Sequence, residues 1–300
     1  MPALPRNTLY LVDSSIYVFR AWHTLPDSIT SPEGHPLNAL YGFADFLAQL
    51  TQQSKPRHLV CAFDKSLRTS ARNKIYPPYK ANRATAPDEL KHQFALCQQL
   101  AELCGYRQFS DEQFEADDII GTLALLANEQ DFSSCIISAD KDLAQFISEP
   151  DLYWNFQRKE RLDYKAITKK FGVRPDQIAD QLAISGDKVD NIPGVPGVGM
   201  ATAAKLLAKW NTLDELFNNV AKVAEMKFRG AARVAELMAQ HESDVRLARK
   251  LTGLFHVGDL PTHIDEFEKS APDEIKFTSF LEQLGFSDRR RDRLFDSFLI

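Results

Sequence analysis

Leu9-Tyr10-Leu11-Val12-Asp13 is a run of four apolar residues closed by a carboxylate. The pattern recurs in Leu59-Val60-Cys61-Ala62-Phe63-Asp64 and in Cys135-Ile136-Ile137-Ser138-Ala139-Asp140. Each run favours β structure and is continuous rather than alternating, as strands buried on both faces are. Helical patterns lie between them, over residues 37–52 and 88–104. Strands alternating with helices predict an α/β fold, a central and mainly parallel sheet with helices on both faces. In such sheets the functional crevice lies beyond the carboxyl ends of the strands. Asp13, Asp64 and Asp140 would then share one crevice. A single Asp after a strand is ordinarily a helix cap or a turn former. Three in register at one sheet edge exceed that role.

From Pro175 onward the pattern is helical with short loops, over residues 175–184, 200–210 and 222–251. The expected organisation is an α/β domain over residues 1–174 and a helical subdomain over 175–300, with no low-complexity linker or repeat. Residues 277–300 read as a final helix pair, with Arg289, Arg290, Arg291 and Arg293 on a solvated face. At 300 residues, 44% hydrophobic and 26% charged, the chain has an ordinary globular composition. It has no run of 18 apolar residues, and residues 1–6 carry no signal pattern, so a cytoplasmic protein without a membrane segment is expected. Cys61, Cys97, Cys104 and Cys135 lack zinc-ligand spacing and read as buried free thiols.

Further carboxylates join the three strand-terminal ones. Glu115-Ala116-Asp117-Asp118 opens a helix. Acids suit a first turn, so capping is the simple reading, but three in four residues exceed what a cap requires. Asp140-Lys141-Asp142 places two carboxylates at i and i+2, on one side of extended backbone. Asp187 and Asp190 follow in the loop after the 175–184 helix. The set is Asp13, Asp64, Glu115, Asp117, Asp118, Asp140, Asp142, Asp187 and Asp190. So many like charges would repel and raise one another's pKa. Hard divalent cations, Mg²⁺ or Mn²⁺, resolve such a cluster, because all the donors are oxygen. Two ions about 4 Å apart would activate water and stabilise the leaving oxygen of a phosphodiester. The net charge of −5 argues against nucleic acid, yet neutralising these nine acids leaves +4.

The stretch 65–91 holds seven basic residues against Asp88 and Glu89. Within it, Arg72-Asn73-Lys74-Ile75-Tyr76-Pro77-Pro78-Tyr79-Lys80-Ala81-Asn82-Arg83 interleaves cations with tyrosines. Cations meet phosphates and aromatic faces stack on unpaired bases. A solvated, Pro-broken loop is the bland reading of the same residues. Gly194-Val195-Pro196-Gly197-Val198-Gly199 is neither a dinucleotide fingerprint nor a P-loop. Its glycines let backbone N–H groups approach a phosphate at the start of the Met200 helix, and Lys205 and Lys209 could add contacts. Such contacts grip a duplex without reading sequence.

Together these motifs resemble the 5′-nuclease family, which includes flap endonucleases and the N-terminal domain of bacterial DNA polymerase I. The resemblance runs from Leu9 to about Trp210. It rests on Leu11-Val12-Asp13, Phe63-Asp64, Glu115-Ala116-Asp117-Asp118, Asp140-Lys141-Asp142-Leu143 and the run from Ser185 through Asp187 and Asp190 to Val195. It implies a PIN-like sheet followed by a helix–hairpin–helix subdomain. It implies that Asp13, Asp64 and Glu115 serve a first metal, that Asp140, Asp142 and Asp190 serve a second, and that Asp117 lies between. Asp118 and Asp187 resemble outer-shell ligands. Residues 65–92 resemble the arch beneath which a single-stranded 5′ end passes, with Lys80 and Arg83 as catalytic cations at its base. Arg72, Tyr76 and Tyr79 would touch DNA; Ala71 departs from the usual Phe. Gly194, Gly197, Gly199 and Lys205 resemble the duplex-gripping hairpin, which often holds K⁺ through carbonyls. The implied partner is DNA with 5′ flaps, frayed ends or junctions, cut by a monomeric 5′-3′ exonuclease or flap endonuclease. No polymerase segment follows, so a stand-alone enzyme is expected. A PIN-type ribonuclease would lack the arch and Gly hairpin, and a non-catalytic branched-DNA binder would have lost ligands. An Asp-x-Asp phosphatase is inconsistent with Asp13-Ser14-Ser15.

Overall fold

The protein is described by a computed structural model over residues 7–65 and 69–299. The expectations for residues 1–6, and for Ser66, Leu67 and Arg68 within the arch, lie outside the described residues. Six strands form one sheet: β1 (Thr8–Asp13), β2 (His58–Asp64), β3 (Arg107–Asp111), β4 (Ser133–Ile137), β5 (Leu152–Asn155) and β6 (Glu160–Leu162). Their order is β3-β2-β1-β4-β5-β6, with β1 to β5 parallel and β6 antiparallel to β5. Helices α1 (Ser14–Thr24), α2 (Asn38–Ser54), α3 (Ala71–Ile75), α4 (Asp88–Leu103), α5 (Ala116–Glu129) and α6 (Tyr164–Phe171) complete this half. The second half runs through α7 (Ile178–Ser185), α8 (Met200–Lys209), α9 (Leu213–Asn218), α10 (Ala231–Gln240), α11 (Glu242–Thr252), α12 (Glu274–Gln283) and α13 (Asp288–Phe298).

Successive residues of each strand point to opposite faces, and two cores follow. Leu9, Leu11, Val60, Ala62 and Ile136 pack with Ile119, Ile120 and Leu123 of α5. Tyr10, Val12, Cys61, Phe63 and Ile137 pack with Val18, Leu40, Phe43, Leu47 and Leu100 of α1, α2 and α4. The first core continues through Leu182, Leu206, Met238 and Leu251, so apolar packing joins the helical half to the sheet without a break. All four cysteines are buried and free.

Three features depart from the sequence reading. β3, β5 and β6 were not expected; β3 and β6 are short, half-exposed strands at the sheet's edges, and β5 has four residues. The stretch 222–251 divides into a 3-10 turn and two helices, with Gly230 at φ +84° before α10 and a break at His241. Arg290 leaves the expected solvated face: its guanidinium lies 3.9 Å from the Tyr41 ring centroid and 2.9 Å from Asp45.

Register builds the crest. Val12 pairs with Cys61 on one side and Ile137 on the other, so the carboxyl ends of β2, β1 and β4 lie abreast. The segment after β2 folds over this edge. It docks on the loop carrying Asp187 and Asp190 through Lys80 N–H to Asp190 O at 2.9 Å and Asn191 Nδ2 to Pro78 O at 2.7 Å.

Candidate metal centre

The carboxylates sit where strands end and helices begin. Asp13 closes β1, is buried, and accepts a hydrogen bond from Ser138 Oγ at 2.7 Å. Asp64 closes β2; its N–H donates to Ser15 Oγ at 2.7 Å, and its Oδ1 accepts from Ala116 N at 2.9 Å. That last bond ties the end of β2 to the first turn of α5. Glu115 is the N-cap of α5 and forms a capping box with Asp118, so the capping reading of these acids is also true of them. Asp140 accepts from Asp142 N at 2.9 Å, and Asp187 accepts from Val189 N at 2.7 Å.

The electrostatics are those of crowded acids removed from water. Burial, then repulsion from Asp64, pushes Asp13 up to about 7. Burial, then Asp140 and Asp187, pushes Asp142 up to about 8. Asp117 is raised by burial and by Asp140, Asp13 and Asp64, and Asp140 is raised chiefly by burial. Glu115 behaves oppositely: burial opposes its charge, but Lys80 and Arg72 beside it hold its carboxyl below the ordinary range. A chain of repulsions thus runs from Asp64, Asp13 and Asp117 through Asp140 to Asp142 and Asp187.

Two cations reach into this cluster from the segment above it. Lys80 Nζ lies 2.5 Å from Glu115 Oε2 and 3.7 Å from Asp190 Oδ2. Arg83 donates to Asp190 Oδ1 at 2.5 Å. The Tyr79 hydroxyl lies 3.1 Å from both Glu115 Oε2 and Asp190 Oδ2, its one proton shared between them. Among the described residues no three Asp, Glu, His or Cys side chains already converge as a formed cage. Lys80, Tyr79 and Arg83 stand between Glu115 and Asp190 and hold them. The donor set nonetheless fits a hard cation. All its donors are oxygens, and Asp142 Oδ1 is buried without a hydrogen-bond partner, with Lys141 Nζ at 4.0 Å.

Several expected roles need correction. Arg72 is only 5% exposed, and four of its N–H groups are spent on Asp118 Oδ1 and Oδ2, Leu251 O and Gly253 O. It is a buried strut and cannot face a phosphate. Asp118 is equally committed: besides Arg72 it accepts from Glu115 N and Phe255 N, which leaves no role for it as an accessory metal ligand. Tyr79 is 2% exposed and offers no face to a base, whereas Tyr76 is only half-buried and its expected role is not overturned. A Cβ on Gly194 would meet Gly186 N at 2.2 Å, so this glycine lets the hairpin pack against the end of α7. Gly197, at φ +78°, and Gly199, the N-cap of α8, have open space where a Cβ would stand, as an approached backbone requires. Lys205 is exposed, with Nζ 5.7 Å from the Phe228 ring centroid.

Sequence reasoning missed Ser15 and Ser138, which orient Asp64 and Asp13. Their signal was a hydroxyl two residues after Asp13 and another two before Asp140. It also missed Asn82 and Asn191, which latch the arch to the Asp190 loop. Beside the crest, Phe19, Asp64, Lys65, Lys80, Arg83 and Phe94 border a cavity of about 350 Å³.

Comparison with known proteins agrees with this geometry. Residues 8–172 match the family described as 5′-3′ exonuclease, N-terminal resolvase-like domain, and residues 173–275 match 5′-3′ exonuclease, C-terminal SAM fold. The chain is 36% identical over 278 residues to a 5′-3′ exonuclease of Aquifex aeolicus, covering 93% of this chain and 92% of that one. It is 34% identical to DNA polymerase I of Bacillus caldotenax over 94% of this chain and 32% of the polymerase, about a third of its length. Solved structures share the fold at lower identity. T5 5′-exonuclease with bound zinc has a TM-score of 0.63 at 19% identity, covering 97% of this chain and 98% of that one. The catalytic core of Rad2 in complex with DNA has a TM-score of 0.67 at 17% identity, covering 98% and 93%.

Proposed function

Because the chain belongs to the 5′-3′ exonuclease family, we propose that it hydrolyses DNA phosphodiester bonds near 5′ ends and at single-strand/duplex junctions, as a structure-specific exonuclease and flap endonuclease. One observation carries this reading: a crest of buried, mutually repelling carboxylates lies directly beneath a cationic segment from the end of β2. Asp13, Asp64, Glu115, Asp117, Asp140, Asp142 and Asp190 would hold two Mg²⁺ or Mn²⁺ ions, with Asp187 supporting them. Bound there, the ions would supply an activated water and charge stabilisation at the leaving oxygen.

The chain's own groups do the rest. Lys80 and Arg83 enter from above and can offset charge that builds on the scissile phosphate. Gly197 and Gly199 present open backbone at the start of α8, where phosphates of the downstream duplex can approach and a K⁺ can bridge to carbonyls. The cavity beside Lys80 and Arg83 gives an unpaired 5′ strand a cationic, partly aromatic path. No helix among the described residues is long and apolar enough to cross a membrane. The buried free thiols suit a reducing compartment such as the cytoplasm.

A 5′-end-labelled flap duplex tests the proposal. Cleavage near the junction should require Mg²⁺ or Mn²⁺, stop with EDTA and return with the ion. Undiminished cleavage in excess EDTA would overturn it.

A further inference from the structure

Resting on the metal reading of the crest, we infer that in the metal-free protein the Lys80 ammonium occupies the seat of a divalent cation, so that metal and substrate phosphate load cooperatively. The contacts are specific. Lys80 is 9% exposed, and its Nζ sits 2.5 Å from Glu115 Oε2 and 3.7 Å from Asp190 Oδ2. These carboxylates come from the two halves of the chain, one at the start of α5 and one in the loop after α7. Its charge also acts on Asp64, Asp117 and Asp140. One ammonium thus offsets repulsion across the cluster, as a bound cation would.

The backbone keeps it there. Lys80 has φ +52°, an uncommon conformation for a residue with a side chain, and its N–H donates to Asp190 O. Asn82 and Asn191 add bonds between the same two segments. Arg83 repeats the arrangement on the other oxygen of Asp190.

Ammonium and metal exclude each other. A divalent ion on Glu115 Oε2 needs that oxygen at about 2.1 Å, and the Lys80 ammonium already stands on the same oxygen. Two positive charges that close also repel. Metal loading on that oxygen turns Lys80 away from Glu115. Its four-carbon stem is flexible, and a phosphate over the crest gives the displaced ammonium a new partner. By linkage, whatever draws Lys80 off Glu115 strengthens metal binding, and metal strengthens phosphate binding equally.

The test is calorimetric titration of Mn²⁺ into metal-free wild type and Lys80→Met, with and without a flap duplex carrying a non-hydrolysable linkage at the cleavage position. Without DNA, Lys80→Met should bind Mn²⁺ more tightly, by about tenfold or more. DNA should tighten Mn²⁺ binding in wild type and do so much less in the variant. Arg83→Met, which frees Asp190, should act in the same direction and replaces Lys80→Met if that protein lacks a cooperative melt. If wild type binds Mn²⁺ and neither variant binds it more tightly, the inference is overturned while the metal reading stands. If wild type binds no Mn²⁺ in either state, the metal reading itself falls.

Discussion

Two buried ion pairs join the arch segment to helix α5, and they differ in a way that separates structure from chemistry. Arg72 and Asp118 meet in two parallel bonds of 2.6 and 2.8 Å; two further Arg72 N–H groups donate to backbone carbonyls, and Asp118 accepts from two backbone N–H groups. The Phe255 ring lies 4.5 Å from the guanidinium. This pair is saturated. Lys80 and Glu115 meet at a single point, with Asp190 Oδ2 3.7 Å from the ammonium and the charge of Asp64 also acting on it. A fork that is fully bonded has nothing left to offer a ligand. A point charge on a flexible stem, with more than one carboxylate in reach, can exchange partners.

Breaking the saturated pair should give the largest change in stability. Arg72→Met leaves Asp118 buried without its partner, and removing one member of such a pair costs about 3–5 kcal/mol. Urea unfolding should show that loss, and added Mg²⁺ should not reverse it. A loss that Mg²⁺ does reverse would place Arg72 with the metal site.

Breaking the open pair should act on rate. Lys80→Ala should lower the single-turnover cleavage rate roughly 100-fold, or about 3 kcal/mol. A normal rate once the DNA is saturated with enzyme would reduce Lys80 to a docking contact.

Those two pairs also show what the sequence could convey. The strand runs ending in Asp13, Asp64 and Asp140 were legible because a strand buried on both faces needs a continuous apolar run. β3 was not, because Arg107-Gln108-Phe109-Ser110-Asp111 is half-exposed at an edge and mixes polar with apolar residues. The acids of the crest were legible because their number exceeds any capping need. Arg72 and Tyr79 were misread because composition says that a segment is cationic and aromatic, not which way it faces. Asp118 lies 46 residues from Arg72, and no local pattern links them. Ser15 and Ser138 were not legible, since a hydroxyl beside an aspartate is common.

A smaller effect concerns the hairpin, where two glycines of one motif serve different ends. Gly194 is packed and Gly197 is open. Gly197→Val adds about 1–2 kcal/mol of strain at φ +78° and covers the backbone. Binding should weaken for every duplex alike, by about tenfold. A loss confined to some sequences would mean that the hairpin reads bases.

The smallest effect follows from the raised acids. Asp13, at about 7, and Asp142, at about 8, keep protons in the metal-free fold that the unfolded chain releases near its ordinary carboxyl pKa. Their contribution to stability is present below that pKa and fades as pH rises through 7 to 8. Mg²⁺ must displace those protons, so its increase in Tm should be larger at pH 8 than at pH 6. An increase independent of pH would remove Asp13 and Asp142 from the ligands.

The most direct measurement is single-turnover cleavage of an end-labelled flap by Asp142→Asn in Mg²⁺, with DNA binding followed in parallel. Asn keeps the shape of Asp142 and removes one charge from a carboxylate whose Oδ1 is buried without a hydrogen-bond partner. The account predicts that cleavage slows by orders of magnitude while the flap still binds at least as tightly. Cleavage near the wild-type rate would contradict it.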